Sequence, residues 1–431
     1  MPIKRIYGNI CPRLDSFADQ RTLNQEIYSI LTLYLRQLSF FYGAKQMSTT
    51  AVASESQSVS NDWGAWGGWC KEKVLQTASY LTDPVCKSRE FLMRCYVVND
   101  LNPNSYRITN LFRKCMLAAG ITVCGLLAIF CTLPAIALRY AVCRLQKAPY
   151  IHRTGIPEKV MEGSAFTIFS WNICYTKGGY EISDGGVLSS PERIGALGAK
   201  ILEQDADVVS LYEVFDINDA LYLYEKMKNN YAHFYFSMGP RVIGPSSGIF
   251  IATKFAVEDP QFLAFPKEAL DGRAKNAEKG IFSFDLKGCA RIFATHLGHS
   301  EISAEPTPNE VKARQDQMKI MMDLVDKPGR TRGRVVVGDL NLRDEEFHEA
   351  SWKDQFVRGD AFTEKTWGGD AYCAALMGKK ASGPLNLDYN MFLKGTAQTI
   401  VTRLVPTGFD GKVFNKEALS DHQGLFSTIS I

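Results

Sequence analysis

The stretch DVVSLYEVFD, from Asp207 to Asp216, places a carboxylate at the end of an apolar run. Val208, Val209 and Leu211 have the branched aliphatic character of a short buried strand. A charge at Glu213 is costly in such surroundings unless a nearby group offsets its desolvation. The stretch therefore predicts a core strand and, at its end, a stabilising partner for Glu213.

The chain has 431 residues, of which 46% are hydrophobic and 22% are charged. This composition is ordinary for a protein with a large core, and the length suits one large domain with an additional segment. The formal net charge of +3 gives no global electrostatic attraction to nucleic acid. The eleven cysteines include no C-x-x-C pair, which argues against a zinc site.

The strongest hydropathy feature is the uncharged run LAAGITVCGLLAIFCTLPAIAL, residues 117–138. As a helix it would reach about 33 Å, enough to cross a hydrocarbon core of about 30 Å. We assign 113–147 to a hydrophobic membrane segment with basic flanks and expect membrane association through 117–138; a buried core helix is the alternative. Pro134 is compatible with a spanning or a re-entrant helix, so the topology and the membrane face stay open.

The residues before this segment carry no recognisable chemistry. We treat 1–112 as an N-terminal region, within which QMSTTAVASESQSVSND, near 46–62, is a Ser/Thr-rich linker.

From about Ser164 the pattern changes to short strands that alternate with helices. Ser190-Pro191-Glu192 caps and opens one helix, and NEVKARQDQMKIMMDLVD forms a second. Many short strands with only some helices between them favour an α/β fold with packed sheets. The strands are predicted over AFTIFSWNI, DVVSLYEVF, GIFIATKF, GIFSFDL, ARIFATHL, RVVVGDLNL, LDYNMFL and GLFSTISI.

Polar side chains follow or precede these strands at their ends. Each has an ordinary explanation by itself, such as a turn cap for Asn172 or a satisfied core histidine for His296. If the strands end at one edge, however, the side chains converge on one basin. The set comprises Asn172, Glu213, His296, Asp339, Asn341, Asp388, Asp421 and His422.

Oxygen ligands with a few imidazoles and no thiolate cluster favour Mg²⁺, with Mn²⁺ as the alternative, over Zn²⁺. The matching reaction is hydrolysis of a phosphodiester, in which a base activates water for in-line attack. His422 suits the base because its ordinary pKa lies near neutrality and a carboxylate can fix its tautomer.

These motifs resemble the endonuclease/exonuclease/phosphatase superfamily, the DNase I-like phosphodiesterases. SWNI, LYEVFD, SGIFIATK, FATHL, VVGDLNL, LDYNMF and LSDHQGL occur in the order found there. The resemblance implies a catalytic domain over 163–431 with the four-layered α/β sandwich of that superfamily, two packed β-sheets flanked by helices and here preceded by the hydrophobic membrane segment.

Within the superfamily the chain is most similar to membrane-associated neutral sphingomyelinases. EVFD, SSGIFIATKF, EKGIF, THLGH and RQDQ have counterparts there, and LPAIALRYAVCRLQKAPYIHR resembles their juxtamembrane stretch. The likeness implies a Mg²⁺-dependent enzyme that hydrolyses the membrane lipid sphingomyelin to ceramide and phosphocholine. Anionic lipid is an additional expected partner because of the basic flanks, whereas nucleic acid is not favoured.

The resemblance also implies a role for each motif residue. Glu213 would be the direct Mg²⁺ ligand, Asn172 would support that site, and Asp421 would lie near the metal.

The remaining motif residues would act on the substrate and the attacking water. Asp339 and Asn341 would position the water and the phosphate, and His422 would be the general base oriented by Asp388. His296 would hydrogen-bond a phosphoryl oxygen. Lys279 would neutralise charge in the transition state, although a lysine that merely enters an exposed strand is an equally weighted interpretation.

The chain departs from the family pattern at three places. Tyr212 stands where the family commonly has Gln, and Asp271 precedes Lys279 at a different spacing, which makes an Asp–Lys contact doubtful. Gly298 displaces the second histidine of the family's THLHA motif, with His299 following.

Two other functions fit parts of the sequence. A phosphoinositide phosphatase or a nuclease would use the same site, and GRTRGR, from residue 329 to 334, is the dense basic cluster that such a substrate would need. A catalytically silent membrane scaffold would have lost a metal, base or phosphate position, and none is lost. Trp367 or Tyr372 could cup a choline cation, although a core or loop aromatic is the simpler interpretation. The oligomeric state is not predicted.

Overall fold

The computed structural model describes residues 69–85, 107–146, 148–175, 190–300, 305–327, 329, 331–359, 365–369, 383–408 and 418–431. The predicted linker near 46–62 lies outside these residues, as do most of the N-terminal region 1–112, Arg330 of the basic cluster, and Tyr372.

Both helices that the sequence predicts are present among the described residues. The second, α5, begins one residue before its predicted start, because Thr307 forms a capping box with Glu310 and Pro308 occupies the first turn. The α-helices are α1 (69–85), α2 (Arg107–Leu145), α3 (Ser190–Glu203), α4 (Ile217–Met227), α5 (Pro308–Val325) and α6 (Asp344–Glu349). Short 3-10 helices span Lys267–Ala269, Gly272–Asn276 and Lys353–Gln355.

The strands form two mixed sheets. Sheet 1 contains β1 (Ile151–Thr154), β2 (Ala165–Asn172), β3 (Val208–Tyr212), β4 (His233–Phe236), β5 (Phe250–Thr253), β12 (Thr399–Val405) and β13 (Gly424–Ser430) in the order β1-β4-β5-β3-β2-β13-β12. Sheet 2 contains β6 (Val257–Ala264), β7 (Gly280–Leu286), β8 (Ala290–His296), β9 (Gly333–Asp339), β10 (Phe356–Arg358) and β11 (Asp388–Leu393) in the order β10-β11-β9-β8-β7-β6. The central pairs β2/β3 and β8/β9 are parallel, and the other pairs are antiparallel.

Alternation of side chains along the strands builds three apolar layers. Ile168 and Val208 of sheet 1 meet Val335 and Phe284 of sheet 2 in a core between the sheets. The opposite face of sheet 1 packs against α3 and α4, and the opposite face of sheet 2 packs against α5 and α6. The layers therefore run helix, sheet, sheet, helix, which confirms the predicted four-layered α/β sandwich.

Helix α2 contains the whole predicted apolar run. Its stretch Gly125–Leu145 is long and apolar enough to cross a membrane by length and composition, and most of that stretch is not buried. Near its C-terminal end, Arg139 donates to the carbonyl of Gly244 at 2.7 Å and the Cys143 thiol to that of Pro240 at 3.0 Å. The end of α2 is thus fixed to the loop between β4 and β5.

Helix α1 packs beside this junction. The Lys71 ammonium donates to the carbonyls of Ala148 and Tyr150 at 2.8 and 2.9 Å, and Glu72 forms an ion pair with Arg153 of β1 at 2.6 Å. Glu72 is buried, so the paired guanidinium offsets the desolvation of its carboxylate. A segment to which the sequence assigned no chemistry is therefore packed on sheet 1.

Substitution of Gly338 tests how tightly β8 and β9 are packed, and substitution of Gly195 in α3 serves as the comparison. Gly195 lies in α3 with open space around its Cα, whereas a Cβ at Gly338 would lie 2.2 Å from the carbonyl oxygen of Thr295 on β8. Gly195→Ala should raise the free energy of unfolding by about 0.5–1 kcal/mol, since alanine loses less conformational entropy in a helix. Gly338→Ala should lower it by about 1–3 kcal/mol through overpacking between β8 and β9.

Thermal unfolding of the two variants beside the unsubstituted protein measures both effects. Equal stability of Gly338→Ala and the unsubstituted protein would contradict the close approach of β8 and β9.

Candidate active site

The ends of strands from both sheets meet at one end of the sandwich. In the parallel pairs Asn172 lies opposite Tyr212, and His296 lies opposite Asp339. Asp388 begins the antiparallel strand β11 directly opposite Asp339. The register therefore brings polar residues that are far apart in the sequence to one edge of each sheet, as the strand-end pattern predicts.

Asn172 connects the two sheets. Its Nδ2 donates to Oε1 of Glu213 at 3.2 Å and to Oδ2 of Asp339 at 2.8 Å, while its Oδ1 accepts from the backbone N–H of Cys174 at 2.9 Å. The side chain is buried. One amide thereby fixes two carboxylates from different sheets in the same small space.

Glu213 occupies a strained backbone position directly after β3. Its φ of 67° lies in the left-handed region, at a cost of order 1–3 kcal/mol for a residue other than glycine. Gly248 makes this turn fit, because a Cβ there would lie 3.2 Å from the Cα of Glu213 and 2.7 Å from the ring of Phe215. Asn341 and Cys174 also have positive φ, of 51° and 46°. Three of the six non-glycine residues with positive φ in the described part of the chain thus lie at the candidate site.

The carboxylates of the site outnumber its cations. Burial and, next, the charge of Asp421 raise the pKa of Glu213, against the opposing effect of Lys279. Burial and the neighbouring Asp388 likewise raise the pKa of Asp339. The charged forms of these two carboxyl groups, Glu213 and Asp339, are therefore destabilised, and a bound divalent cation would reverse this effect.

His422 and Asp388 form a hydrogen-bonded pair. Nδ1 of His422 lies 2.8 Å from Oδ2 of Asp388, and both side chains are buried. Burial by itself lowers the pKa of His422, but the carboxylates of Asp388, Asp421 and Asp339 outweigh it and hold that pKa well above the ordinary value. Nδ1 is engaged, so Nε2 is the nitrogen left to face the site, 3.9 Å from Oδ2 of Asp339.

His296 has the opposite electrostatic character. Its Nε2 lies 3.4 Å from Oδ2 of Asp339 and 3.9 Å from Oε1 of Glu213. Burial first, and then the charge of Lys279, lower the pKa of His296 well below its ordinary value. His296 is therefore a neutral imidazole at physiological pH.

Lys279 and Asn341 converge on one carbonyl. The Lys279 ammonium donates to the carbonyl of Leu297 at 3.1 Å, and Nδ2 of Asn341 donates to the same oxygen at 3.3 Å. Lys279 is buried, which rules out an exposed strand lysine, and burial lowers its pKa against the attraction of Glu213 and Asp339. Asp271 pairs with Lys275 at 3.4 Å.

Asp421 is held by residues whose importance the sequence did not reveal. Nε1 of Trp367 donates to Oδ2 of Asp421 at 3.3 Å, and the Ser420 hydroxyl donates to the carbonyl of Asn172 at 2.6 Å. Trp367 is only 1% exposed, so its ring is packed in the protein and is not open to a choline cation. The one signal in the sequence was a tryptophan beside a glycine pair, which does not predict this contact.

Arg193 holds the backbone on which two site residues depend. Its guanidinium donates to the carbonyls of Ile173 and Cys174, at 3.0 and 2.5 Å, and to that of Leu419. These carbonyls lie next to Asn172 and two residues before Asp421, so a buried cation from α3 fixes both loops. The sequence shows only a helix at this position.

Tyr212 does not take part in the polar cluster. Its ring lies in the core between the sheets, its hydroxyl is 2.7 Å from that of Ser210, and its edge approaches His296. The Tyr212 side chain therefore packs in the core beside His296. It supplies no amide in place of the Gln that is common at this position in the superfamily.

The donor set fits a hard divalent cation. Among the described residues, Asp339, Asp388 and His422 offer ligand atoms within 4.8 Å of one another. His422 and Asp388 already bind each other, whereas the Glu213 carboxylate, which accepts from Nδ2 of Asn172 and is influenced by the charge of Asp421, offers oxygen ligands beside them. Carboxylate and amide oxygens are the ligands that Mg²⁺ and Mn²⁺ prefer.

A scan against protein-family models found no match, and a search of the curated proteins found none. Among solved structures the chain is similar to sphingomyelinase C from Streptomyces griseocarneus, at 16% identity and a TM-score of 0.45 over 61% of this chain and 99% of that one. A mutant beta toxin from Staphylococcus aureus with bound magnesium ions gives 18% and 0.48 over 62% and 99%. D. rerio TDP2 complexed with a single-strand DNA product gives 17% and 0.46 over 62% and 100%.

The two packed sheets and the flanking helices confirm the fold that the resemblance to the endonuclease/exonuclease/phosphatase superfamily implies.

Proposed function

We propose that the chain is a membrane-associated, Mg²⁺-dependent phosphodiesterase that hydrolyses sphingomyelin to ceramide and phosphocholine. The observation that carries the proposal is the bridge from Asn172 to Glu213 and Asp339 beside the His422–Asp388 pair. This arrangement combines an oxygen-rich cation site with an oriented imidazole, which are the two components that metal-assisted hydrolysis of a phosphodiester needs.

Glu213, Asn172 and Asp421 are the residues that would hold the cation. When bound, Mg²⁺ supplies neutralisation of phosphoryl oxygens and of the departing alkoxide. The chain prepares for this with a strained turn at Glu213 and with Trp367 on Asp421, so little rearrangement is needed on binding.

His422 acts as the general base. Asp388 accepts from Nδ1–H and fixes the tautomer, and a cation held beside Glu213 and Asp421 would offset the carboxylates that raise the pKa of His422, leaving Nε2 able to take a proton from the attacking water. Asp339 and Asn341 position that water and the phosphate, since Oδ1 of Asp339 already accepts from the backbone N–H of Asn341 at 3.0 Å.

His296 and Lys279 stabilise charge on the phosphoryl group. As a neutral imidazole, His296 donates a hydrogen bond to a phosphoryl oxygen and does not form an ion pair with it. The buried ammonium of Lys279 faces Glu213 and Asp339, where its charge offsets that which develops on the phosphoryl oxygens.

The choice of a membrane lipid rests on the neutral sphingomyelinase motifs and on helix α2. The apolar helix ends against the loop between β4 and β5, so insertion of α2 would hold the catalytic sheets beside the bilayer. Tethering raises the effective concentration of a lipid substrate without any new catalytic contact. Arg139 and Arg144 at the end of α2 would favour anionic lipid.

His422→Ala should lower turnover of labelled sphingomyelin by about 10²–10⁴-fold, because it removes the general base. The assay compares sphingomyelin, phosphatidylcholine, phosphoinositide and plasmid DNA, each with Mg²⁺ or with EDTA. Thr77→Ala is a matched control, since Thr77 is exposed and, among the described residues, its hydroxyl donates to the carbonyl of Lys73 in its own helix. Equal sphingomyelin turnover by His422→Ala, or in EDTA, would overturn the mechanism. Turnover of DNA or phosphoinositide alone would overturn the substrate.

Asp388→Asn should lower the pKa of His422 in the metal-free protein. The Asp388 carboxylate favours the imidazolium form of His422. Without it, the pKa of His422 is set by burial, which lowers it, and by Asp421 and Asp339, which raise it. Hydrogen–deuterium exchange at the imidazole carbon, followed by mass spectrometry across pH, measures that pKa. An unchanged or higher value would show that Asp388 does not stabilise the charged form.

A further inference from the structure

Helix α1 makes a direct polar contact with the segment that bears Glu213. The Ser79 hydroxyl donates to Oδ2 of Asp216 at 2.6 Å, and Nδ2 of Asn218 donates to the Ser79 oxygen at 3.1 Å. Ser79 is only 2% exposed, although it lies 137 residues before Asp216 in the sequence. This contact joins the N-terminal region to the final residue of the EVFD motif.

Asp216 is held through both of its carboxylate oxygens. While Oδ2 accepts from Ser79, Oδ1 accepts from the backbone N–H of Asn218 at 2.8 Å and caps α4. The cap fixes Asp216 relative to α4, and Ser79 fixes it relative to α1. The residue is therefore a junction between two helices that belong to distant parts of the chain.

The turn between Glu213 and Asp216 is too short to absorb movement at its end. The N–H of Phe215 donates to the carbonyl of Glu213 at 2.9 Å, and the N–H of Val214 donates to that of Gly248 at 2.9 Å. The ring of Phe215 packs on Gly248. With φ of Glu213 in the left-handed region, a shift of Asp216 re-aims the Glu213 carboxylate.

Helix α1 is anchored independently at its other end. Glu72 pairs with Arg153, and Leu75 is buried in the core formed by sheet 1 with α3 and α4. Removal of the Ser79 hydroxyl therefore deletes the contact with Asp216 without undocking the helix.

We propose that Ser79 is a positioning residue for the candidate cation site: its hydrogen bond to Asp216 holds the strained turn that aims Glu213 at Mg²⁺. The inference rests on the proposed function, because it takes Glu213 as the Mg²⁺ ligand. It assigns to a helix of the N-terminal region a part in cation binding, with the catalytic residues themselves unchanged.

The test measures Mg²⁺ binding to the full-length, metal-free protein in detergent by calorimetry, without substrate. Ser79→Ala should weaken binding by up to about tenfold, the limit reached if the whole of one hydrogen bond to a charged group supports the cation-binding geometry of the turn. Thr77→Ala, two residues away on the exposed side of the same helix, should bind as the unsubstituted protein does. Ser79→Ala should also raise amide exchange across residues 213–216, a readout that needs no metal.

Glu213→Gln separates the two ways in which the proposal could fail. If Glu213→Gln abolishes Mg²⁺ binding and Ser79→Ala binds as tightly as the unsubstituted protein, the positioning role is wrong and the proposed cation site stands. If Glu213→Gln retains full Mg²⁺ affinity, the cation site is wrong and the positioning role falls with it. Weaker binding by Ser79→Ala with unaltered exchange at 213–216 would also contradict the proposal, because the turn would not have moved.

Discussion

The candidate site depends on one amide group, Nδ2 of Asn172, which joins the two sheets where their strands end. It donates to Glu213 of one sheet and to Asp339 of the other, at 3.2 and 2.8 Å. A buried donor between two carboxylates lets them approach without a full charge between them, whereas a lysine there would compete with a cation for the same oxygens. The spacing of the sheets and the geometry of the site are thus coupled through this side chain.

The two histidines around this bridge, His422 and His296, have opposite electrostatic environments. His422 sits among three carboxylates, which favour its charged form, and His296 sits close to Lys279 in a buried position that favours its neutral form. The difference follows from the strands that carry them: β8 brings His296 beside the lysine at the start of β7, and the turn before β13 brings His422 to Asp388. Divergent environments of this kind give two histidines of one site opposite protonation preferences.

Whereas the four-layered sandwich was implied by the family resemblance, sequence periodicity predicted packed α/β layers and the grouping of polar residues at strand ends. It predicted that Asn172, Asp339 and Asp388 would lie together, and the register shows that they do. It could not predict Trp367 on Asp421 or Arg193 on the loop carbonyls, since those contacts depend on where loops and helices pack. Tyr212 shows a further limit: a departure from a motif does not reveal which layer of the protein will hold the replacement.

The sequence also suggested no role for the N-terminal region, because that region contains few recognisable motifs. Helix α1 is built from ordinary helical residues, and only the tertiary contacts of Lys71, Glu72 and Ser79 distinguish it. Hydrogen bonds between residues more than 70 positions apart leave no local pattern in a sequence.

The antiparallel pairing of β2 with β13 has a consequence for the order of events during synthesis. Nε1 of Trp171 donates to the carbonyl of His422, 251 residues later, and sheet 1 stays open between β2 and β12 until β13 has been made. The apolar helix leaves the ribosome long before that. A nascent chain would therefore complete α2 early and the candidate site last, because the strand that follows His422 pairs with β2 only at the end of synthesis.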